Sequence, residues 1–224
     1  MEKQPLDRQT ICNRLAMEFE NDWVVNLGIG MPTLCANVPF GDRDIILQSE
    51  NGLVGYGPLA KEGEENKNLV DAGIQYVTTR PGTAIVHHVD SFTIIRGGYV
   101  DVTVLGAYEV AENGDFASWK TAGRKGGGIG GAMDLAVGAK RVWITMAHTT
   151  RDGKPRLLKR CNLPLTAVGV VSMVATDYGL FEITPGGFVL KEFAPGYTPE
   201  EIQEITEATL TISPDLRKFQ TRNK

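Results

Sequence analysis

The residues best placed to do chemistry are one carboxylate and the glycines around it. Glu50 stands in Ser49-Glu50-Asn51-Gly52, directly after the run Asp44-Ile45-Ile46-Leu47-Gln48, and Gly55 and Gly57 follow closely. Two further glycine clusters occur, Gly28-Ile29-Gly30 and the stretch 126–131. Glycine at the C-terminal end of a strand permits positive φ and lets a ligand approach the backbone. In an open α/β sheet those strand ends are where ligands bind. A carboxylate there, ringed by backbone without side chains, is a candidate nucleophile with amide donors beside it. A solvated turn residue would fit the same position, and the residue types alone leave both readings open.

Two other patterns invite chemistry and fit it less well. Gly126-x-Gly128-x-x-Gly131 formally matches the dinucleotide fingerprint, which requires a strand directly before it and an acidic residue about 20 positions on. The preceding Trp119-Lys120-Thr121-Ala122-Gly123-Arg124-Lys125 is polar and unlike a strand, and Asp152 lies in a turn-like Arg-Asp-Gly-Lys stretch. A loop that opens a helix at Ala132-Met133-Asp134-Leu135, its amides facing an anion, suits the residues better. His87-His88-x-Asp90 suggests a metal, but adjacent histidines on a strand point to opposite faces. His148 stands alone, so no metal site is expected. Contact of His87, His88 or Asp90 with a polar substrate and plain packing both remain open. The one small basic knot, Lys154, Arg156, Lys159 and Arg160, suits either a solvated face or a phosphate.

The elements that must position these residues read as strands alternating with helices. Ile11, Leu15 and Phe19 recur every four residues and predict a helix over 7–20. Short β-type runs are expected at 23–27, 44–48, 100–105, 142–146 and 180–183. That order predicts a largely parallel sheet covered by helices on both faces. Pro185-Gly186-Gly187 reads as a hairpin turn. Thr198-Pro199-Glu200-Glu201 reads as a capped helix start. The charged stretch 61–67 reads as an exposed loop and 217–224 as a frayed polar tail. No repeat interrupts the chain, so residues 1–224 are expected to form one domain.

Composition bounds the function. The 224 residues, 42% hydrophobic and 22% charged, describe an ordinary globular chain able to bury a core without staples. A net charge of −4 argues against nucleic acid or an anionic membrane as partner. Cys12, Cys35 and Cys161 lie far apart and are expected as reduced thiols. No run approaches ~18 apolar residues, and Met1-Glu2-Lys3-Gln4-Pro5 lacks a signal peptide's apolar stretch. The cytosol, or an organelle matrix, is the expected compartment.

Four motifs in order give the chain a family resemblance. Asn26-Leu27-Gly28-Ile29-Gly30-Met31-Pro32, Gln48-Ser49-Glu50-Asn51-Gly52, Ile95-Arg96-Gly97-Gly98 and Gly130-Gly131-Ala132-Met133-Asp134-Leu135 resemble the B subunit of the 3-oxoacid, or butyrate–acetoacetate, coenzyme A transferases. The likeness extends over about residues 7–215. It implies an α/β open sandwich of the sugar-phosphate-isomerase-like kind, with Glu50 as nucleophile. It implies an oxyanion site at the backbone of Gly131, with Gly130 beside it, and an active-site lining that includes Asn26. Gly28, Gly30, Ser49, Asn51 and Gly52 are then candidates for lining or coenzyme A binding. No tightly bound cofactor is implied, because coenzyme A enters as a substrate.

The resemblance also implies a sequence of steps. Glu50 attacks an acyl-CoA to give a mixed anhydride, the thiolate returns to the Glu50 carbonyl, and the resulting enzyme thioester passes coenzyme A to an acceptor acid. A separate A subunit is implied, in an assembly of two A and two B chains. One departure stands out. Ala122-Gly123-Arg124-Lys125-Gly126-Gly127-Gly128 replaces the family's usual Pro-Gly-Lys-Met sequence, which predicts a more mobile loop. His87-His88-Val89-Asp90-Ser91-Phe92 is closest to the oxoadipate-using branch. The rival readings are an acyl-CoA hydrolase on the same scaffold and a non-catalytic ligand-binding module. Retention of Ser49-Glu50-Asn51-Gly52 argues against the module.

Overall fold

The computed structural model describes residues 3–121, 123 and 127–219. Expectations for Gly126, for the rest of the loop at 122 and 124–125, and for the tail at 220–224 lie outside the described residues.

In chain order the elements are α1 (Arg8–Ala16), β1 (Val24–Leu27), a 3-10 helix (Met31–Asn37), β2 (Ile46–Gln48), β3 (Leu53–Leu59), β4 (Val77–Ile85), α2 (His88–Arg96) and β5 (Val102–Gly106). They continue with β6 (Glu109–Ala111), β7 (Phe116–Ala117), α3 (Ala132–Gly138), β8 (Val142–Thr145), β9 (Leu157–Leu158) and β10 (Val171–Ala175). The chain ends with β11 (Gly179–Thr184), β12 (Gly187–Phe193), α4 (Pro199–Glu204) and β13 (Thr211–Lys218).

A 10-stranded sheet in the order β13-β12-β11-β10-β8-β5-β1-β2-β3-β4 carries the fold, with a small sheet β7-β6-β9 beside it. Its centre, β10-β8-β5-β1-β2, is parallel, and antiparallel strands extend it on both sides. Parallel strands are covered on both faces and read as continuous apolar runs. Val102-Thr103-Val104-Leu105 and Val142-Trp143-Ile144-Thr145 are accordingly buried throughout. Alternate residues serve opposite faces. Val102, Val104 and Trp143 join the cluster that holds Ile11, Leu15 and Phe19 of the α1 stripe, while Leu105, Val142 and Ile144 join the one holding Ile95 and Leu135.

The predicted strands, the hairpin β11–β12 closing Thr184 on Gly187, and the Thr198 capping box are all present. Four expectations need correction. First, α1 ends at Ala16, short of residue 20, because the Arg43 guanidinium takes the carbonyls of Ala16, Met17 and Phe19 that would otherwise continue the helix. Phe19 still reaches the core and stacks on Trp143. Second, helices are fewer than strict alternation predicts. The stretch between β8 and β10 forms only β9, which pairs with β6. Third, His87 and His88 start a helix and do not lie on a strand. His87 Nδ1 caps α2 by accepting from Val89 N at 3.2 Å, and the His88 ring packs against Phe92. Fourth, Arg217 and Lys218 belong to β13, where Arg217 reaches the buried Glu192, and Phe219 is buried.

The three cysteines are unpaired. Among the described residues no helix is long and apolar enough to cross a membrane.

Candidate active site

Glu50 sits at the tip of the tight turn between β2 and β3. Ser49 N donates to Leu53 O at 2.8 Å and Gly52 N to Ser49 O at 3.0 Å. Gly52 takes φ +118, and a Cβ there would stand 2.3 Å from Val86 O, nearer than real Cβ contacts come. Val86 N in turn donates to Gly52 O at 2.9 Å. The glycine lets the Glu50 turn lie against the chain as it leaves β4.

Beneath the turn runs a row of buried polar side chains. Register places Gln48 of β2 beside Asn26 of β1, and Asn26 beside Thr103 of β5. Asn26, Gln48, Thr103 and Ser91 are each 0% exposed. Asn26 Nδ2 donates to Gln48 Oε1 at 2.8 Å and lies 3.3 Å from Glu50 Oε2, while Thr103 Oγ1 donates to Asn26 Oδ1 at 3.3 Å. Gln48 Nε2 donates to Ser91 Oγ at 2.8 Å, and Ser91 Oγ donates to Ser49 O at 3.1 Å. Buried amides must be paired to be tolerated. Asn26 Nδ2 also donates to Gln48 O at 3.2 Å, so its amide is held between Gln48 and the Glu50 carboxylate.

Glu50 faces a cavity of about 330 Å³ whose walls include Gly28, Ile29, Leu105, Tyr108, Gly130 and Gly131. A Cβ on Gly131 would stand 3.3 Å from Phe92 Cζ and 3.6 Å from Glu50 Oε1. The Gly131 backbone, at the start of α3, is therefore directly opposite the carboxylate. The Gly131 amide donates to no group among the described residues, whereas Ala132 N is already bonded to Ile129 O at 3.2 Å. Gly28 is held by its own amide, which donates to Val104 O at 2.8 Å, and a side chain there would press on Leu105.

Glu50, Asn26, Gly28, Gly130 and Gly131 are thus brought together. Ser49 lies behind the turn, its Oγ buried without a partner among the described residues. Asn51 points away, donating to Val70 O at 2.7 Å and pinning the loop after β3. Gly30, at φ +93, turns the chain into the 3-10 helix and is not on the cavity wall. Gly128 and Gly131 line the cavity, and among the described residues before them the nearest strand is the two-residue β7, Phe116–Ala117. Asp152 is tied to Thr150 and Lys154 in a surface loop. Among the described residues, no group of three His, Cys, Asp or Glu is placed to hold a metal.

The sequence reading missed Gln48, Thr103, Ser91 and Phe92. A signal existed for the first two, since each is a polar residue inside an apolar β run.

The family model described as Coenzyme A transferase matches residues 8–204. The chain belongs to the coenzyme A transferase family. It is an enzyme of that type, and several of its relatives are named as B subunits. The B subunit of the 3-oxoadipate CoA-transferase of Pseudomonas putida is 43% identical, over 92% of this chain and 96% of that protein. The B subunit of the succinyl-CoA:3-ketoacid coenzyme A transferase of Helicobacter pylori is 42% identical, over 92% and 99%. Among solved structures, an acyl-CoA transferase of Escherichia coli O157:H7 superposes with TM-score 0.75 at 22% identity. The match covers 98% of this chain and 44% of that longer one. Glutaconate coenzyme A-transferase of Acidaminococcus fermentans superposes with TM-score 0.71 at 17% identity, over 97% of this chain and 90% of that one. The α/β fold with its largely parallel sheet is thus shared with coenzyme A transferases.

Proposed function

We propose that this chain is the nucleophile-bearing B subunit of a two-subunit transferase. It would move coenzyme A between an acyl-CoA of the succinyl-CoA or acetyl-CoA type and a short 3-oxo or fatty acid. The observation that carries the reading is the placement of the Glu50 carboxylate beside both the Asn26 amide and Gly131, whose own amide has no partner among the described residues, in a cavity at the C-terminal edge of the parallel strands.

The steps balance without ATP or a metal. A Glu50 oxygen adds to the thioester carbonyl, the C–S bond breaks, and a mixed anhydride and coenzyme A thiolate result. The thiolate then adds to the Glu50 carbonyl and expels the first acid as its carboxylate, leaving a glutamyl thioester. The acceptor carboxylate reverses the two steps. Each addition develops an oxyanion, and one donor to such an atom typically contributes about 3–4 kcal/mol. The Gly131 amide is the donor on this reading, with Gly130 shaping its approach. The Asn26 amide holds Glu50 in line, and Gly28 keeps the wall low enough for the thioester to enter. Water must be excluded from the anhydride. The exposed Ile29 at the cavity mouth suits cover by another chain. An A subunit, implied by the relatives' names, would supply that cover, in a cytoplasmic assembly of two A and two B chains.

The test is intact mass spectrometry of the assembled enzyme mixed with acyl-CoA and no acceptor. One coenzyme A should be added, on the peptide that contains Glu50. Glu50→Ala should fold and lose nearly all transfer. Label on another residue would refute the assignment, and steady release of free coenzyme A without acceptor would favour a hydrolase. Full activity from the isolated chain would refute the two-subunit reading.

A further inference from the structure

The Glu50 cavity shares the wall formed by Gly106, Ala107 and Tyr108 with a second cavity, of about 660 Å³, further along the same sheet edge. This volume lies in the range of small-molecule sites, and its lining is chemically unusual. Thr145, the last residue of β8, is 1% exposed and its Oγ1 has no partner among the described residues. Arg156, from the basic knot that follows β8, also lines it and has a buried Nε without a partner. Unpaired buried donors are destabilising and few natural proteins keep many, so each needs a cause.

Charge sharpens the point. Arg8 and Arg156 line the cavity together with Asp7 and Asp177. Both acids already accept hydrogen bonds, Asp7 capping α1 through Thr10 N and Thr10 Oγ1, and Asp177 Oδ1 accepting from His148 N at 2.7 Å. The guanidiniums of Arg8 and Arg156 make no ion pair with a described residue, although Arg156 is firmly placed by its main chain, with N donating to His148 O and O accepting from Val110 N, both at 3.0 Å. Guanidinium is a donor-only group suited to paired oxygens. Burial raises the Asp177 pKa and the charge of nearby Arg156 opposes that rise, yet no side-chain hydrogen bond or ion pair with a described residue holds Arg156, the exposed Arg8 or the Thr145 hydroxyl at this space.

We propose that this cavity is a subsite for an anionic oxygen group that the substrate carries away from its reacting carbonyl, bound by Arg156 and Arg8 with Thr145 Oγ1 as a further donor. The inference deepens the transferase reading and rests on Glu50 being the reacting group. A second carboxylate on a dicarboxylic acid and a phosphate of coenzyme A share the required chemistry, and the experiment separates them.

The assembled enzyme would be compared with its Arg156→Gln, Arg8→Gln and Thr145→Val variants. One arm measures the kcat/KM ratio for acceptors matched in length, adipate against hexanoate and succinate against butyrate. The other measures the ratio for an acyl-CoA donor against the same acyl group on pantetheine. In Arg156→Gln one ratio should fall by roughly tenfold or more, the scale of a lost charged hydrogen bond. A fall in the first ratio assigns a carboxylate, and a fall in the second assigns a phosphate. Thr145→Val should lower the same ratio while the melting temperature holds or rises, because the hydroxyl removed has no internal partner. Ratios unchanged in all three variants would overturn the proposal. So would a drop in A-subunit affinity with unchanged ratios, since Arg156 would then pair with the partner chain. Calorimetry with adipate, succinate or adenosine 3′,5′-bisphosphate, on wild type and Arg156→Gln, reads the subsite even if no Glu50 thioester forms. Equal binding of all three to both proteins would overturn the subsite alone.

Discussion

Gly52→Ala tests whether the Glu50 turn is held by close backbone approach. The alanine Cβ would stand 2.3 Å from Val86 O and must accept φ +118. A non-glycine residue in such a conformation costs about 1–3 kcal/mol. Relieving the overlap means moving either the turn or Val86 by close to 1 Å, which costs a further ~1–3 kcal/mol by analogy with an overpacked core. A loss near 4 kcal/mol corresponds to roughly 8–16 °C in melting temperature for a chain of this size.

Gly63→Ala is the control, because Gly63 has φ +86 with nothing within 4 Å of a Cβ, so only the backbone term applies. It should lose about 1 kcal/mol. Thermal unfolding of both variants, alone and assembled, gives the comparison, and kcat/KM shows whether the displaced turn carries Glu50 with it. Gly52→Ala should lose at least tenfold in activity, and Gly63→Ala should stay near wild type. Melting temperatures within 2 °C of each other would refute the reasoning.

Three further outcomes follow from the same geometry. Gly131→Val should lower kcat about 100-fold, on the scale of one lost oxyanion donor, with little change in melting temperature. Gly131 has an ordinary φ of −83, and a Cβ there first meets Phe92 and Glu50, so unchanged turnover would remove it from the site. Arg14→Met should cost about 3 kcal/mol in denaturant unfolding, because it strips a buried partner at 2.7 Å from Glu192, a carboxylate that keeps its contact with Arg217. Burial lowers the His148 pKa from 6.5 to about 3, so the folded state keeps the ring neutral while the unfolded chain protonates it. Its contribution is therefore complete above pH 6.5 and is lost as pH falls toward 3, at up to about 1.4 kcal/mol per pH unit. His148→Gln should flatten the stability–pH curve in that window, and an unchanged slope would refute this.

The sequence revealed what depends on local chemistry. The Glu50 turn needed only the four residues Ser49-Glu50-Asn51-Gly52 after an apolar run, and the Thr198 cap needed only the spacing to Glu201. What it hid depends on register or on distant partners. Arg217 looks like a frayed polar tail until Glu192 is placed beside it, 25 residues away in the chain. The premature end of α1 depends on Arg43, and residue 43 carries no helix signal. His87 and His88 read as strand residues after the apolar Ala84-Ile85-Val86, yet the His87 imidazole serves as a helix cap. Asn51 belonged to the right motif and still points out of the cavity, since neighbours in a tight turn diverge.

Thr103, Asn26 and Gln48 form one row across three parallel strands of the sheet centre, where apolar side chains would pack at lower cost. Such a row gains little for folding, because each hydrogen bond merely replaces one to water. What it does supply is direction. With Thr103 donating to its oxygen and Gln48 accepting from its nitrogen, the Asn26 amide has a fixed orientation and presents a donor to Glu50. A carboxylate on an unsupported turn would sample many rotamers, and a misplacement of about 1 Å can cost roughly 100-fold in rate. The polar row therefore makes sense as a positioning device. Replacing Thr103 by valine removes the donor to Asn26 Oδ1, so it should lower kcat and also cost about 1–3 kcal/mol in denaturant unfolding; unchanged kcat would refute the positioning role.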